Sequence, residues 1–262
     1  YNILNIMWIP KFFLKGFYNF MLVGLPSVTY NPFNKGTTFH APVKIDSTST
    51  YINYKIPKDK FNIINKYIKS YNSDFSLIPT RISSDQAEYY ISVNIYNCTS
   101  PIFNSVTTDY VTRCEINTYV SNANGEEGTL IMDYTSNFLS MDPVNIFKKE
   151  GICEFNKKNN KYSLHACNKN FELTGKFIRN EVRDFGILLN KKMIAHTDKI
   201  FYLNGIYDKL YYDSSLVKSS IKLPYKIDNI RFKFLDIDFN YVDSIFYFEE
   251  PLNFVGAIWE NL

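Results

Sequence analysis

TRCEINTYVSNANGEEGTLIMDYTSNFLSMDPVNIFKKEG, Thr112–Gly151, is the stretch that decides how the chain is read. Val111, Arg113, Glu115, Asn117 and Tyr119 alternate here with Thr112, Cys114, Ile116, Thr118 and Val120. A strand of period two sends the two sets to opposite faces, so Glu115 falls among polar and aromatic neighbours that line a cavity or meet solvent. Asn124-Gly125 tolerates positive φ and predicts a tight turn, after which Gly128–Tyr134 is the returning strand. Asp142-Pro143 then predicts a helix start, because the carboxylate accepts orphan amide bonds and proline loses nothing at the first helical position. Gly151 predicts the helix stop, which puts Lys148 and Lys149 in the last turn, near its carbonyl end.

Composition widens this hairpin into a fold class. With 262 residues, 45% of them hydrophobic, the chain is long enough for one large core. Its 22 Phe and 21 Tyr, set against only 10 Gly, favour strands around a wide apolar interior. Further strands are predicted at Thr50–Ile56, Phe75–Ile82, Tyr89–Asn97, Tyr162–Ala166, Phe171–Ile178, Ile200–Leu203, Lys209–Tyr212, Ile230–Phe239 and Ile245–Glu250. Asn204-Gly205 marks another tight turn. Phe61, Ile64 and Ile68, with Tyr67 beside them, recur at helical spacing after Pro57 and predict an amphipathic helix. Val182–Lys191 suits a helix or a buried strand equally, since its apolar residues are too dense for periodicity to separate the two. Many short strands with few helices predict a mainly β (α+β) fold. Its expected architecture is a largely antiparallel, closed or partly closed β-barrel with a few flanking helices.

The formal charge of +3 is spread along the chain without a run of five or six like charges, and no recognition motif accompanies it, which argues against nucleic acid as a partner. Cys98, Cys114, Cys153 and Cys167 have no CxxC spacing and are too few to staple a domain of this size, so free buried thiols are expected. Asn97-Cys98-Thr99 matches a glycosylation sequon, but it ends a predicted strand and does not establish secretion. Ile6–Pro26 is strongly apolar yet broken by Pro10, Lys11, Lys15 and Gly16; it is neither a clean transmembrane span nor a signal peptide in its order of regions. Residues 1–37 are therefore read as an apolar segment packing on a single barrel domain of residues 38–262, with weak membrane-surface contact as its other use. The expected compartment is the cytoplasm, although a chain whose first residue is Tyr1 leaves room for an upstream targeting segment.

The hairpin, the following helix and Phe147-Lys148-Lys149-Glu150-Gly151 together resemble the central part of the acetoacetate decarboxylase-like β-barrel superfamily. In that family the enzyme's lysine pair supplies one lysine that forms a Schiff base with a β-keto acid and a neighbour that lowers its pKa. The resemblance assigns the nucleophile to Lys148 by family order and the electrostatic partner to Lys149, whereas spacing alone fits either. Glu115 stands about where the family keeps a pocket glutamate, 34 residues before Lys149, somewhat fewer than the family spacing. Arg113, Asn117 and Tyr119, on the same predicted face, are the expected substrate-binding residues. The likeness spans Thr38–Gly151 and extends weakly into the C-terminal strands, including FYLNGIYDKLYYDSSL at Phe201–Leu216. Two departures stand out. The family's substrate-contacting arginine falls near Ile45–Thr50, where this chain has none, and its other pocket glutamate falls near Tyr90-Ile91. If those assignments hold, substrate recognition has changed or decarboxylase activity is absent.

The chemistry implied is that of a neutral lysine. An amine attacks a carbonyl only when unprotonated, and burial or a nearby cation lowers its pKa from roughly 10.4 toward neutrality. The iminium then accepts the electrons released as a β-carboxylate leaves as carbon dioxide, so no cofactor and no metal is called for, and Glu115 is placed to orient substrate or move a proton. A plain structural account of the same residues also exists. Consecutive helical residues point about 100° apart, lysines before a glycine stop suit the helix macrodipole, and Glu115 can simply pair with Arg113. His40, His165 and His196 are widely separated, with no HxH or HExxH pair. No glycine pattern forms a phosphate cradle, and no serine lies in GxSxG. The reading is thus a lyase acting on a small carbonyl compound. The alternatives are a non-catalytic barrel binding a fatty or other lipophilic molecule, and a lipid-modifying isomerase or hydrolyase on the same fold.

Overall fold

Thr112–Ser136 folds as two long antiparallel strands, and the remaining elements are arranged around them in a computed structural model. It describes residues 28–30, 36–39, 43–45, 49–71, 73–82, 86–99, 111–137, 151–178, 201–203, 208–211, 221–222, 226–248, 252–254 and 257–261. Before the helix α1 (Phe61–Tyr71) come β1 (Val28–Tyr30), β2 (Gly36–Phe39), β3 (Val43–Ile45) and β4 (Thr50–Lys55). After it follow β5 (Ser76–Leu77), β6 (Tyr90–Thr99), β7 (Val111–Ser121), β8 (Glu127–Ser136), β9 (Ile152–Lys158), β10 (Lys161–Cys167) and β11 (Phe171–Ile178). The chain continues through β12 (Phe201–Leu203), β13 (Asp208–Tyr211), β14 (Ile221–Lys222), β15 (Lys226–Phe234), β16 (Ile237–Phe239), β17 (Ser244–Phe248), β18 (Leu252–Phe254) and β19 (Ala257–Asn261).

These strands form two sheets. The larger runs β1-β2-β19-β13-β12-β8-β7-β6-β4-β17-β14, with β3, β5 and β18 attached beside that path; the smaller runs β16-β15-β11-β10-β9. Among the described residues every pairing is antiparallel except β12 with β8. The mainly antiparallel β class is thus as expected, with one helix among the described residues. Closure into a barrel is not: the larger sheet ends at β1 and β14, which do not pair with each other among the described residues.

The core lies where the two sheets face each other. Ile52 and Tyr54 of β4, Ile91, Val93 and Ile95 of β6, and Cys114 and Ile116 of β7 share one face of the larger sheet, as the registers of these strands require. Against them stand Phe155, Tyr162, Phe177, Phe232, Phe234 and Phe239 from the inner face of the smaller sheet. Tyr54 meets Phe232 with ring centroids 5.0 Å apart, and Tyr162 stacks on Phe177 at 4.8 Å. The helix inserts Ile64 and Ile68, both fully buried, and sets Tyr67 edge-on against Phe234. Its opposite side carries the half-exposed Ile63. The periodicity after Pro57 predicted this helix correctly.

Several turns depart from expectation. The β7–β8 connection is organised by Asn122: its Oδ1 accepts from the amides of Asn124 and Glu126, and its Nδ2 donates to Glu126 Oε2. Only Gly125 has positive φ there, so this is a longer loop than a two-residue Asn-Gly turn. Ile230–Phe239, read as one strand, is a hairpin in which Leu235 and Asp236 both take positive φ, and the Leu235 amide donates to the Asn170 carbonyl. Asn159 and Asn160 likewise take positive φ between β9 and β10, the pattern of a tight hairpin. Phe75–Ile82 shrinks to Ser76–Leu77 plus a bridge from Thr80 to Glu88. The predicted helix after Asp142, Val182–Lys191, Asn204-Gly205 and Ile6–Pro26 lie outside the described residues. Among the described residues no helix is long and apolar enough to cross a membrane.

Candidate functional site

The alternation along β7 separates two environments, and the face opposite the core is the unusual one. Registers place Tyr51 and Asn53 of β4, Ser92, Asn94 and Tyr96 of β6, and Arg113, Glu115, Asn117 and Tyr119 of β7 side by side on that face. All nine are buried. A face that carries amides, hydroxyls, a guanidinium and a carboxylate yet is removed from solvent is a polar wall, not a solvated surface.

Two hydrogen-bonded clusters make up this wall. In one, Arg113 Nε donates to Glu115 Oε1 at 2.6 Å and the Tyr96 hydroxyl donates to the same oxygen at 3.0 Å. The Arg113 guanidinium also lies 4.1 Å from the ring centroid of Tyr134, the residue opposite Glu115 on β8. In the other, Ser92 Oγ donates to Asn53 Oδ1 at 2.6 Å and shares a hydrogen bond of 3.1 Å with the Tyr119 hydroxyl, while Asn53 Nδ2 donates to Ser244 Oγ. Burial pushes the Tyr119 phenol up to about 12, a shift that the hydrogen bond to Ser92 partly opposes. Ser49 Oγ donates to Asn94 Oδ1 at the margin. Between the clusters sits Asn117, 1% exposed, with no hydrogen-bond partner for either side-chain atom among the described residues.

The four β7 residues expected at the site are therefore brought to one face. Lys148 and Lys149 lie outside the described residues. Tyr51, Asn53, Ser92, Asn94 and Tyr96 were missed as members of the wall, although their signal was present: TYINYK and YISVNIY alternate polar or aromatic residues with Ile and Val just as β7 does.

Other features have structural roles. Asp133, on the core side of β8, accepts from Asn168 Nδ2, Asn170 Nδ2 and the Tyr134 amide, and so ties the β10–β11 turn to the larger sheet. Cys114 and Cys153 are buried free thiols, both pushed up by burial, and Cys167 is a free, half-buried one. Asn97 donates to the Phe155 carbonyl and accepts from Thr112 Oγ1, so the sequon asparagine is engaged within the sheets. His165 lies on β10, between Glu154 and Thr174 in register. No cluster of three or more His, Cys, Asp or Glu suited to a metal occurs among the described residues. A separate concavity of about 360 Å³ on the smaller sheet is lined by Glu172, Thr174, Arg231, Lys233 and Asp238, whose charges are mixed.

No family model matches the chain, and no curated protein does. Among solved structures, one described as "Enduracididine biosynthesis enzyme MppR complexed with pyruvate" is similar, with a TM-score of 0.43 and 8% identity over 84% of this chain and 86% of that one. A likeness at that level carries no activity across.

Proposed function

We propose that this chain is a cofactor-free enzyme of the acetoacetate decarboxylase-like type, acting on a small keto acid or related carbonyl compound on a barrel-like sheet. The observation that carries this reading is the buried polar wall of β4, β6 and β7, with Arg113, Glu115, Asn117 and Tyr119 in one row. Such a wall favours a ligand that hydrogen-bonds over a fatty one, because the Asn117 carboxamide, which has no partner among the described residues, would face hydrocarbon with its water lost and not replaced.

In the proposed reaction Lys148 or Lys149, neutral at its Nζ, adds to the substrate carbonyl and water leaves to give an iminium. The bond to the carboxylate carbon then breaks, its electron pair passes to the iminium nitrogen, and carbon dioxide departs. A proton returned to carbon and hydrolysis release the ketone and restore the amine. Glu115, with Arg113 and Tyr96 fixing its position, supplies polarity or a proton path beside the reacting carbons.

Incubation with a panel of β-keto acids followed by borohydride, with the adduct located by peptide mass spectrometry, tests this. The expected result is an adduct on Lys148 or Lys149 that disappears in the corresponding Lys→Met variant. No adduct on folded protein defeats the Schiff-base reading, and an adduct on another lysine defeats the site assignment alone.

A further inference from the structure

Asn117 sits in a wall whose neighbouring side chains bond to one another. Directly across on β6, Ser92 is taken by Asn53 and Tyr119; two residues earlier on β7, Glu115 is taken by Arg113 and Tyr96. Its other cross-strand neighbour, Ile131 on β8, offers no polar side-chain atom. The carboxamide of Asn117 is 1% exposed, and neither its Oδ1 nor its Nδ2 has a partner among the described residues. An amide in this state is costly to keep unless something satisfies it.

The charge around it narrows what that something is. Arg113 is the only buried cation among the described residues, and it is in contact with Glu115, so the pair presents no net charge. A carboxylate seated on Asn117 would be desolvated near Glu115 with no further buried cation among the described residues. A neutral group with both a donor and an acceptor meets both amide atoms at once.

Resting on the reading of this face as a ligand-binding wall, we propose that Asn117 is a specificity determinant that pairs with a neutral donor-and-acceptor group, a carboxamide or a hydroxyl, carried by the carbonyl ligand. The anionic or reacting end of that ligand is then directed away from Asn117.

Three near-isosteric probes separate the cases: acetoacetamide, acetoacetate and 4-methylpentan-2-one. Calorimetric titration of the wild-type chain should show acetoacetamide binding about tenfold or more tightly than 4-methylpentan-2-one. It should also bind more tightly than acetoacetate. In Asn117→Leu, a substitution of similar shape, the preference over the ketone should vanish. The melting temperature should be unchanged or higher, because an unpaired buried amide has been removed. Equal binding of amide and ketone, tighter binding of acetoacetate, no binding of any probe, or a markedly lowered melting temperature in Asn117→Leu would each overturn the proposal. Borohydride trapping reports separately on the lysines. An Asn117-dependent preference without an adduct leaves this inference standing and removes the Schiff base, and an adduct without the preference does the reverse.

Discussion

Replacing Glu115 by leucine should cost about 3–5 kcal/mol of folding stability, the range for removing one partner of a buried ion pair. Arg113 and Glu115 are 2% and 6% exposed, with Nε and Oε1 2.6 Å apart. At an effective dielectric of about 20, two unit charges at that distance attract by about 6 kcal/mol, and the desolvation of both ions offsets most of this. The intact pair therefore contributes little net stability, while Glu115→Leu removes the carboxylate 2.6 Å from Nε and leaves a buried guanidinium that does not deprotonate. Its contact with the Tyr134 ring, 4.1 Å from the centroid, is already made in the intact protein and so does not offset the loss. The double variant Arg113→Met/Glu115→Leu should then be far less destabilised than the sum of the singles, with a coupling of about 2 kcal/mol or more. Urea unfolding followed by circular dichroism measures all four corners of the cycle. A loss under about 1 kcal/mol in Glu115→Leu, or additive singles, would refute the reasoning, because the wall would then be wet and its charges screened.

Gly151 has φ of 85° and a Cβ there would lie 1.7 Å from the Cys167 carbonyl oxygen, whereas Gly125, at φ of 75°, has open space around it. Gly125→Ala should therefore cost only the left-handed strain of about 1–2 kcal/mol, and Gly151→Ala clearly more, as compared by thermal unfolding. Asp133→Ala removes the acceptor of three donors and should cost about 2–4 kcal/mol, while Asn168→Ala, which deletes one of those donors and its own turn contacts, should reproduce part of that loss. Of the three described thiols in native protein, Cys167 should react first with a thiol reagent and Cys114 and Cys153 only on unfolding, since burial holds both above the ordinary thiol range. Tyr119, raised by burial to about 12 from its ordinary 10, contributes stability fully present below about pH 10 and lost as pH rises toward 12; Tyr119→Phe should flatten that part of the stability profile.

The parts of the fold that were legible are those where local pattern and tertiary demand agree. Along β7 the alternation of Arg113, Glu115, Asn117 and Tyr119 with Cys114, Ile116 and Val120 survives because both faces are buried against different chemistry, so a one-residue slip would bury the wrong set on each side. The helix was legible because Ile64 and Ile68 meet the core and Ile63 does not. What escaped reading is held from a distance. Leu235 carries no turn signal, yet it and Asp236 take left-handed conformations, with the Leu235 amide held by the Asn170 carbonyl. Strand β9, ICEFNKK, is mostly exposed and lysine-rich, and it is a strand because β10 pairs along its whole length. The site was half legible: β7 announced its polar face, but that Asn53 and Ser92 join Tyr119 depends on a register between residues 39 positions apart, which no local window contains.

A sheet selected for stability alone would not be built this way. Its core face satisfies itself with Ile, Val, Tyr and Phe, whereas the opposite face buries a charge pair and several amides and hydroxyls where aliphatic residues of similar volume would fold at least as well. Most of these polar groups engage one another, so their burial is close to neutral for stability. Asn117 breaks that symmetry, being as buried as the others and unmatched by them. Wall and residue then predict opposite responses. Leucine at Glu115 opens a deficit that only Arg113→Met repairs, whereas leucine at Asn117 removes a deficit already present and so raises stability while it lowers affinity for acetoacetamide. Loss of stability at both positions would show that Asn117 is a structural member of the wall, and gain at Asn117 together with loss at Glu115 would separate the group that holds the wall together from the group that reads what is bound against it.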